Sequence, residues 1–297
     1  MDDPPILDEQ INNLLKEFSR RNVENHFRNY IYALDEEEVI ASLVRRAREL
    51  GPAGIQNLRL VLQPDKKFDL NFTEGASRAL AELEDGESLA LVFNQAARVW
   101  DNCKDIGEIG GGGTFASFLA VGRKLIPVAQ KNGPLPEGVI NALTIFVQYI
   151  SDWRAYYSVF ETAASTRSPK LREELIKIIT ATLGHDWNRR AEALFALRHY
   201  PEMQATMLEA IDHPEEKISC KAAEALVEML GLIPGCREKD FVRWKTWAMP
   251  RVPPELRVKP PSRLEVLFNR EPKLDKRQAR FWNACFRKHQ ETFRTMR

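Results

Sequence analysis

Between Ser168 and Gly231 the apolar residues recur at steps of three and four, and the whole pattern occurs twice. Displaced by 32 positions, Leu171, Leu175, Ile176 and Ile179 fall on Met203, Met207, Leu208 and Ile211. Ala191-Glu192-Ala193-Leu194 likewise falls on Ala223-Glu224-Ala225-Leu226. Such steps put the apolar side chains on one helix face. Polar punctuation, first Gly184-His185-Asp186 and then His213-Pro214-Glu215, divides each unit into two helices. A repeat of this period is the pattern of stacked helical hairpins, because one hairpin alone cannot bury its apolar face.

The same periodicity organises the chain upstream. Leu7, Ile11, Leu14, Leu15 and Phe18 share a face, as do Phe27, Tyr30, Ile31 and Leu34; the register slips near Asn22–Asn25, which predicts either one kinked helix or two. Asp35 is placed to cap a helix whose first turn is Glu36-Glu37-Glu38 and whose last turn carries Arg45, Arg46 and Arg48 before Gly51 stops it. Leu58 to Leu62 and Phe68 to Phe72 alternate like a hairpin, but within a helical array the first run is read as helix and the second as an extended connection. Helices are expected over Thr73–Leu83, Glu87–Trp100, Phe115–Gln130, Pro136–Ile150 and Ser151–Ala164. In the last of these Trp153, Tyr156, Tyr157 and Phe160 share a face, which predicts an inter-helix core, the alternative being a groove lining.

Arg190-Ala191-Glu192-Ala193-Leu194 and Lys221-Ala222-Ala223-Glu224-Ala225-Leu226-Val227 resemble the HEAT-type repeats of α-solenoid proteins, with a poorer echo over Glu49–Leu58. Small Ala residues permit close helix stacking, and Leu fills the contact. The resemblance implies an all-α fold, an irregular HEAT-like helical-hairpin array, to which the composition of residues 236–297 adds a basic, proline-interrupted C-terminal extension. It implies an interaction surface and no catalytic residues. Three regions follow: an acidic helical region over 1–109, the repeats over 110–235, and the extension over 236–297.

Charge sharpens this division. The net formal charge is +1, yet residues 1–100 hold 12 Lys/Arg against 18 Asp/Glu, residues 101–235 hold 14 against 17, and residues 236–297 hold 17 against 7. An acidic body thus carries a basic tail. In the tail Trp244 and Trp247 stand among Arg and Lys, and prolines 250 to 272 favour an extended strap. A final helix from about Asp275 sets Phe281, Trp282, Cys285, Phe286, His289 and Phe293 on one face. Lys273, Arg280, Arg287 and Arg294 recur every seven residues beside them, with Arg277 in the same basic set. These cations and Trp244, Trp247, Trp282 and Phe286 are the candidate partner-binding residues. A protein partner is the first expectation; phosphate contact and base stacking by residues 236–297 make nucleic acid the second.

Motifs for chemistry are sparse. Gly111-x-Gly113-x-x-Ala116 has the spacing of a dinucleotide fingerprint, but Asn102–Ile109 is too polar for the strand it needs, so the glycines are read as a flexible joint. No Lys-Ser/Thr follows them, which excludes a P-loop. His185, His199 and His213 stand 14 apart, without metal-ligand spacing, and Cys285–His289 offers only two ligands. The chain is therefore read as non-enzymatic, without cofactor or metal. Some HEAT-like DNA glycosylases use a Trp and an Asp, and Trp100-Asp101 with Asp105, or Trp153 with Asp152, is the pairing such a resemblance would enlist. Four scattered cysteines, no secretory signal and no apolar run of spanning length point to a soluble protein of a reducing compartment, the cytoplasm, with no membrane partner.

Overall fold

The computed structural model describes residues 7–27, 33–66, 68–103, 113–181, 186–232, 249–257 and 274–295. Among these residues the protein is all-α, with thirteen α-helices, short 3-10 turns and no strand. They form two compact units, residues 1–171 (unit 1) and 172–297 (unit 2), and the boundary falls within a helix.

Unit 1 contains α1 (Glu9–Phe27), α2 (Ala33–Leu50), α3 (Pro52–Val61), α4 (Leu70–Glu82), α5 (Leu89–Cys103), α6 (Thr114–Asn132), α7 (Glu137–Tyr149) and α8 (Tyr156–Ser165). Its core is built from the three-four positions: Ile11, Leu15 and Phe18 of α1, Leu43 and Ala47 of α2, Leu58 of α3, Val92, Phe93 and Ala96 of α5, and Phe118 and Leu125 of α6 are all buried. The α2–α3 corner needs two glycines. Gly51 takes φ +61°, a left-handed conformation that ends α2, and Pro52 opens α3. A Cβ on Gly54 would lie 2.3 Å from the Ala47 carbonyl oxygen, so the helices approach to backbone contact there.

Among the helix starts that differ from the sequence expectation are those of α2, α4 and α8. α2 already begins at Ala33, so Asp35 falls in its first turn instead of capping it. α4 begins at Leu70, not Thr73, because the Asp69 carboxylate accepts the Asn71 backbone N–H at 2.7 Å and caps it. Phe72 is therefore helical, not extended. α8 begins at Tyr156, five residues late, because Asp152 accepts the Arg154 backbone N–H at 3.0 Å and closes a turn. The Leu58–Val61 run is helical as expected. Gly110–Gly112 lie outside the described residues, and Gly113 stands at the N-cap of α6.

Glu74 is a buried carboxylate of unit 1 whose pKa is raised. Desolvation pushes it up, against hydrogen bonds from Ser117 (2.8 Å) and Asn22 (3.3 Å) and the charge of Arg78. A carboxyl whose folded pKa is raised binds its proton more tightly folded than unfolded. Its contribution to stability is complete below the ordinary value of 4.5 and is lost as pH rises through the raised folded value. Urea midpoints of Glu74→Gln and parent should therefore diverge in favour of the variant as pH rises from 4.5 towards neutrality. A parallel pair of curves would show that Glu74 is not desolvated.

Unit 2 takes most of α9 (Pro169–Thr180), then α10 (Trp187–Ala196), α11 (Gln204–Ala210), α12 (Glu216–Met229) and α13 (Lys276–Thr295). The order recurs at the 32-residue displacement: α9 aligns with the 3-10 turn Pro201–Met203 and α11, and α10 with α12. Leu175 and Met207 are buried at matching positions, as are Leu194 and Leu226. α10 packs on α12, and Ala191, Ala193, Ala222, Ala223 and Ala225 are buried with them, as close helix packing requires. α12 ends with Gly231 at φ +62°, where the Leu232 N–H reaches the Val227 carbonyl at 3.0 Å.

Candidate functional site

The last helix is fixed at its start by a reciprocal cap. Asp275 accepts the Gln278 N–H at 2.7 Å, while the Gln278 side chain accepts the Asp275 N–H at 3.2 Å. α13 then lies on α12, burying Phe281, Trp282, Ala284 and Cys285. The Trp282 indole N–H donates to the Leu256 carbonyl at 3.0 Å, tying the helix to the described part of the proline segment, where Val252 and Leu256 are buried. Burial in this apolar layer pushes the Cys285 thiol well above its usual pKa, which leaves it unreactive.

The basic residues of α13 divide into two groups. Arg277 Nη2 donates to the Leu208 carbonyl and Arg280 Nη1 to that of Ile211, both at 2.6 Å. These carbonyls end α11 and have no partner within that helix, so the two guanidiniums act as its C-terminal caps. Further along, Lys288 pairs with Glu228 at 3.0 Å and Arg287 stands 3.7 Å from Glu224. Glu228 also receives Arg198, and Arg198, Lys221 and Lys288 all approach the Phe195 ring, at 3.9, 4.7 and 5.7 Å. The α10–α12–α13 layer is thus joined by alternating charges around one phenyl ring.

On the other flank, α12 and α13 leave a groove of about 640 Å³. Its walls are Glu216 and Cys220, four apart on α12, and Lys276, Arg280, Asn283 and Arg287, spaced by four, three and four on α13. Pro214 closes one end, and partly exposed Phe286 adds an apolar element. Three cations face one carboxylate, so the groove favours anions. Ahead of α12, His213 Nδ1 accepts the Glu215 N–H at 3.0 Å and closes the turn that leads into the helix. Among the described residues no group of three His, Cys, Asp or Glu side chains is arranged to hold a metal, and no helix is long and apolar enough to cross a membrane.

The structure thus brings Arg280, Arg287 and Phe286 to one groove and adds Lys276 and Asn283, which the seven-residue spacing passed over. Trp282 serves the interior, and Arg277 the end of α11. Lys273, Trp244 and Trp247 lie outside the described residues, and of Arg294 only the helical backbone is described. Of the residues a glycosylase resemblance would enlist, Trp100 is buried against Phe115 and Phe146, at 5.7 and 5.1 Å between ring centres. Asp101 is exposed, and Asp105 lies outside the described residues. Both oxygens of the Asp152 carboxylate are held by one edge of the Arg154 guanidinium, at 3.0 and 2.9 Å, which lowers its pKa, while Trp153 is exposed.

Fold and groove together define the class: an all-α protein with a cation-lined groove between its last two described helices. No protein-family model and no curated protein matches the chain.

Proposed function

We propose that this protein is a non-enzymatic adaptor of the cytoplasm, and that the α12–α13 groove takes an acidic segment of a protein partner. The carrying observation is the placing of Lys276, Arg280 and Arg287 along one wall with Phe286 beside them. Cations supply attraction and orientation for a carboxylate-bearing segment, and the phenyl ring supplies an apolar anchor that a purely electrostatic surface lacks. We infer further that α9–α12 are two HEAT-type units; in support, the same helix order and the same buried Leu recur after 32 residues.

The test is the double reversal Lys276→Glu with Arg287→Glu. Arg280 is left intact because its guanidinium also caps α11. With a labelled Glu- and Leu-rich helical peptide as probe, the parent should bind with an affinity that falls as salt rises. The double variant should lose about tenfold or more, with an unchanged melting temperature. Equal binding by parent and variant would overturn the reading. Saturable binding of a single-stranded oligonucleotide in place of the peptide would transfer the groove to nucleic acid.

A further inference from the structure

Between residues 145 and 157 unit 1 leaves four large apolar side chains exposed that neither its core nor the groove explains. Ile145 (46% exposed) and Tyr149 (69%) stand one turn apart on the outer side of α7, opposite its buried Leu143, Phe146 and Val147. Four residues on, Trp153 (68%) projects from the turn that Asp152 makes with Arg154, and Tyr157 (45%) follows in the first turn of α8. The outer side of a helix accepts almost any polar residue, so a run of large rings there is informative in a way that one exposed Leu is not.

Charge, hydrogen bonding and size narrow what would cover these rings. From Gly138 to Phe160 the only ionisable acid and base are Asp152 and Arg154, which neutralise one another at 2.9 Å. Two further cations lie nearby: Arg123, 5.9 Å from the Tyr157 ring centre, and Lys170, which donates to Asn141 of α7 at 2.9 Å. Two separated cations, one of them held by Asn141, do not make the row of charges from which a protein draws affinity for a phosphate backbone. The ring edges are donors: two phenolic hydroxyls and one indole N–H, and none of the three is engaged in a hydrogen bond among the described residues. At roughly 150–250 Å² per aromatic side chain, the exposed area is on the order of 400–500 Å². That is well short of the roughly 800 Å² each partner contributes to a stable dimer. The complement is narrow, uncharged, rich in flat CH surface and supplied with acceptors but few donors. A proline-rich chain has these properties, because proline lacks an N–H, its carbonyls point outward in the polyproline II conformation, and its rings pack on aromatic faces.

We propose that Tyr149, Trp153 and Tyr157 form a docking surface for an uncharged proline-rich segment of a partner protein. It is independent of the groove in unit 2, so either site can fail without the other. The experiment uses the full chain and a fluorescein-labelled, end-blocked decaproline peptide, with anisotropy read at low and high salt. Saturable binding should be the same at both salt levels. Trp153→Ser and Tyr149→Ser should each weaken it about tenfold or more, Trp153→Phe should retain most of it, and all should melt with the parent. Absence of saturable binding would overturn the proposal, as would binding that neither serine variant changes. Preference for oligothymidylate over decaproline would assign the rings to nucleic acid instead. A concentration-dependent dimer in sedimentation, abolished by Trp153→Ser, would assign them to a second copy of the chain.

Discussion

Asp85→Ala is expected to destabilise unit 1 by about 3 kcal/mol, at the lower end of what removing one member of a buried ion pair costs. Asp85 follows the α4 terminus, where its own N–H bonds back to the Leu80 carbonyl at 3.0 Å and Glu84 takes φ +53°. From there both its carboxylate oxygens are gripped by one edge of the Arg59 guanidinium, through Nε at 2.8 Å and through Nη2, and one also accepts the Ser88 hydroxyl. The Arg59 and Asp85 side chains are 17% and 7% exposed, so α3 and the α4–α5 corner are joined through a nearly dry contact. Alanine would leave a guanidinium short of water and holding only Glu87 at 2.8 Å, a carboxylate that is itself largely exposed. The expected cost is therefore that of a stranded charge and not the net worth of the pair. The double variant Arg59→Met with Asp85→Asn removes both charges, keeps an acceptor for Ser88, and should recover most of the loss. Urea denaturation of the single and double variants measures this coupling directly. If the single variant unfolds at the parent's midpoint, or the double loses the sum of two large single losses, the contact is not a desolvated pair.

This pair illustrates what periodicity leaves out. Helix existence was legible wherever apolar steps of three and four persisted, and Gly51-Pro52 and Gly231 marked ends through backbone conformations few other residues adopt. Errors arose where one side chain reorganised a boundary. Asp69 as a cap and Asp152 as a turn-maker are each a single residue against a run of helix formers. With α8 starting late, the face shared by Trp153, Tyr156, Tyr157 and Phe160 exists for only part of that set. Tyr156 and Phe160 are buried and stack at 5.7 Å, whereas Trp153 and Tyr157 face solvent. Asp275-x-x-Gln278 is a capping signature that a closer reading of the sequence would have found. The division of the tail's cations was beyond any spacing rule: Arg277 and Arg280 each serve a carbonyl 69 residues away, and nothing local to α13 announces the open end of α11. Lys276 and Asn283 entered the groove for the same reason, since it exists only once α12 is alongside.

Leu194→Ala and Leu226→Ala should each cost roughly 2–5 kcal/mol, the range for truncating a fully buried leucine. Both residues are buried, at the same place in the 32-residue recurrence, on helices that pack together. The spread in that range reflects how far the neighbourhood collapses into the space left behind. Collapse is difficult here. Ala191, Ala193, Ala222, Ala223 and Ala225 already hold the helices close, and short rigid side chains cannot swing into a hole. The losses should therefore fall in the upper half of the range. They should also be confined to unit 2, with amide exchange accelerating over α10 and α12 while unit 1 keeps its protection. Because the two leucines belong to successive recurrences on touching helices, the double variant should depart from additivity by about 0.5 kcal/mol or more. Melting curves of both single variants that overlay the parent would mean the recurrence is a coincidence of composition and not a physical repeat. Large losses that add without coupling would keep both leucines in the core but place them in separate contacts, and the inference of stacked repeat units would fall with that result.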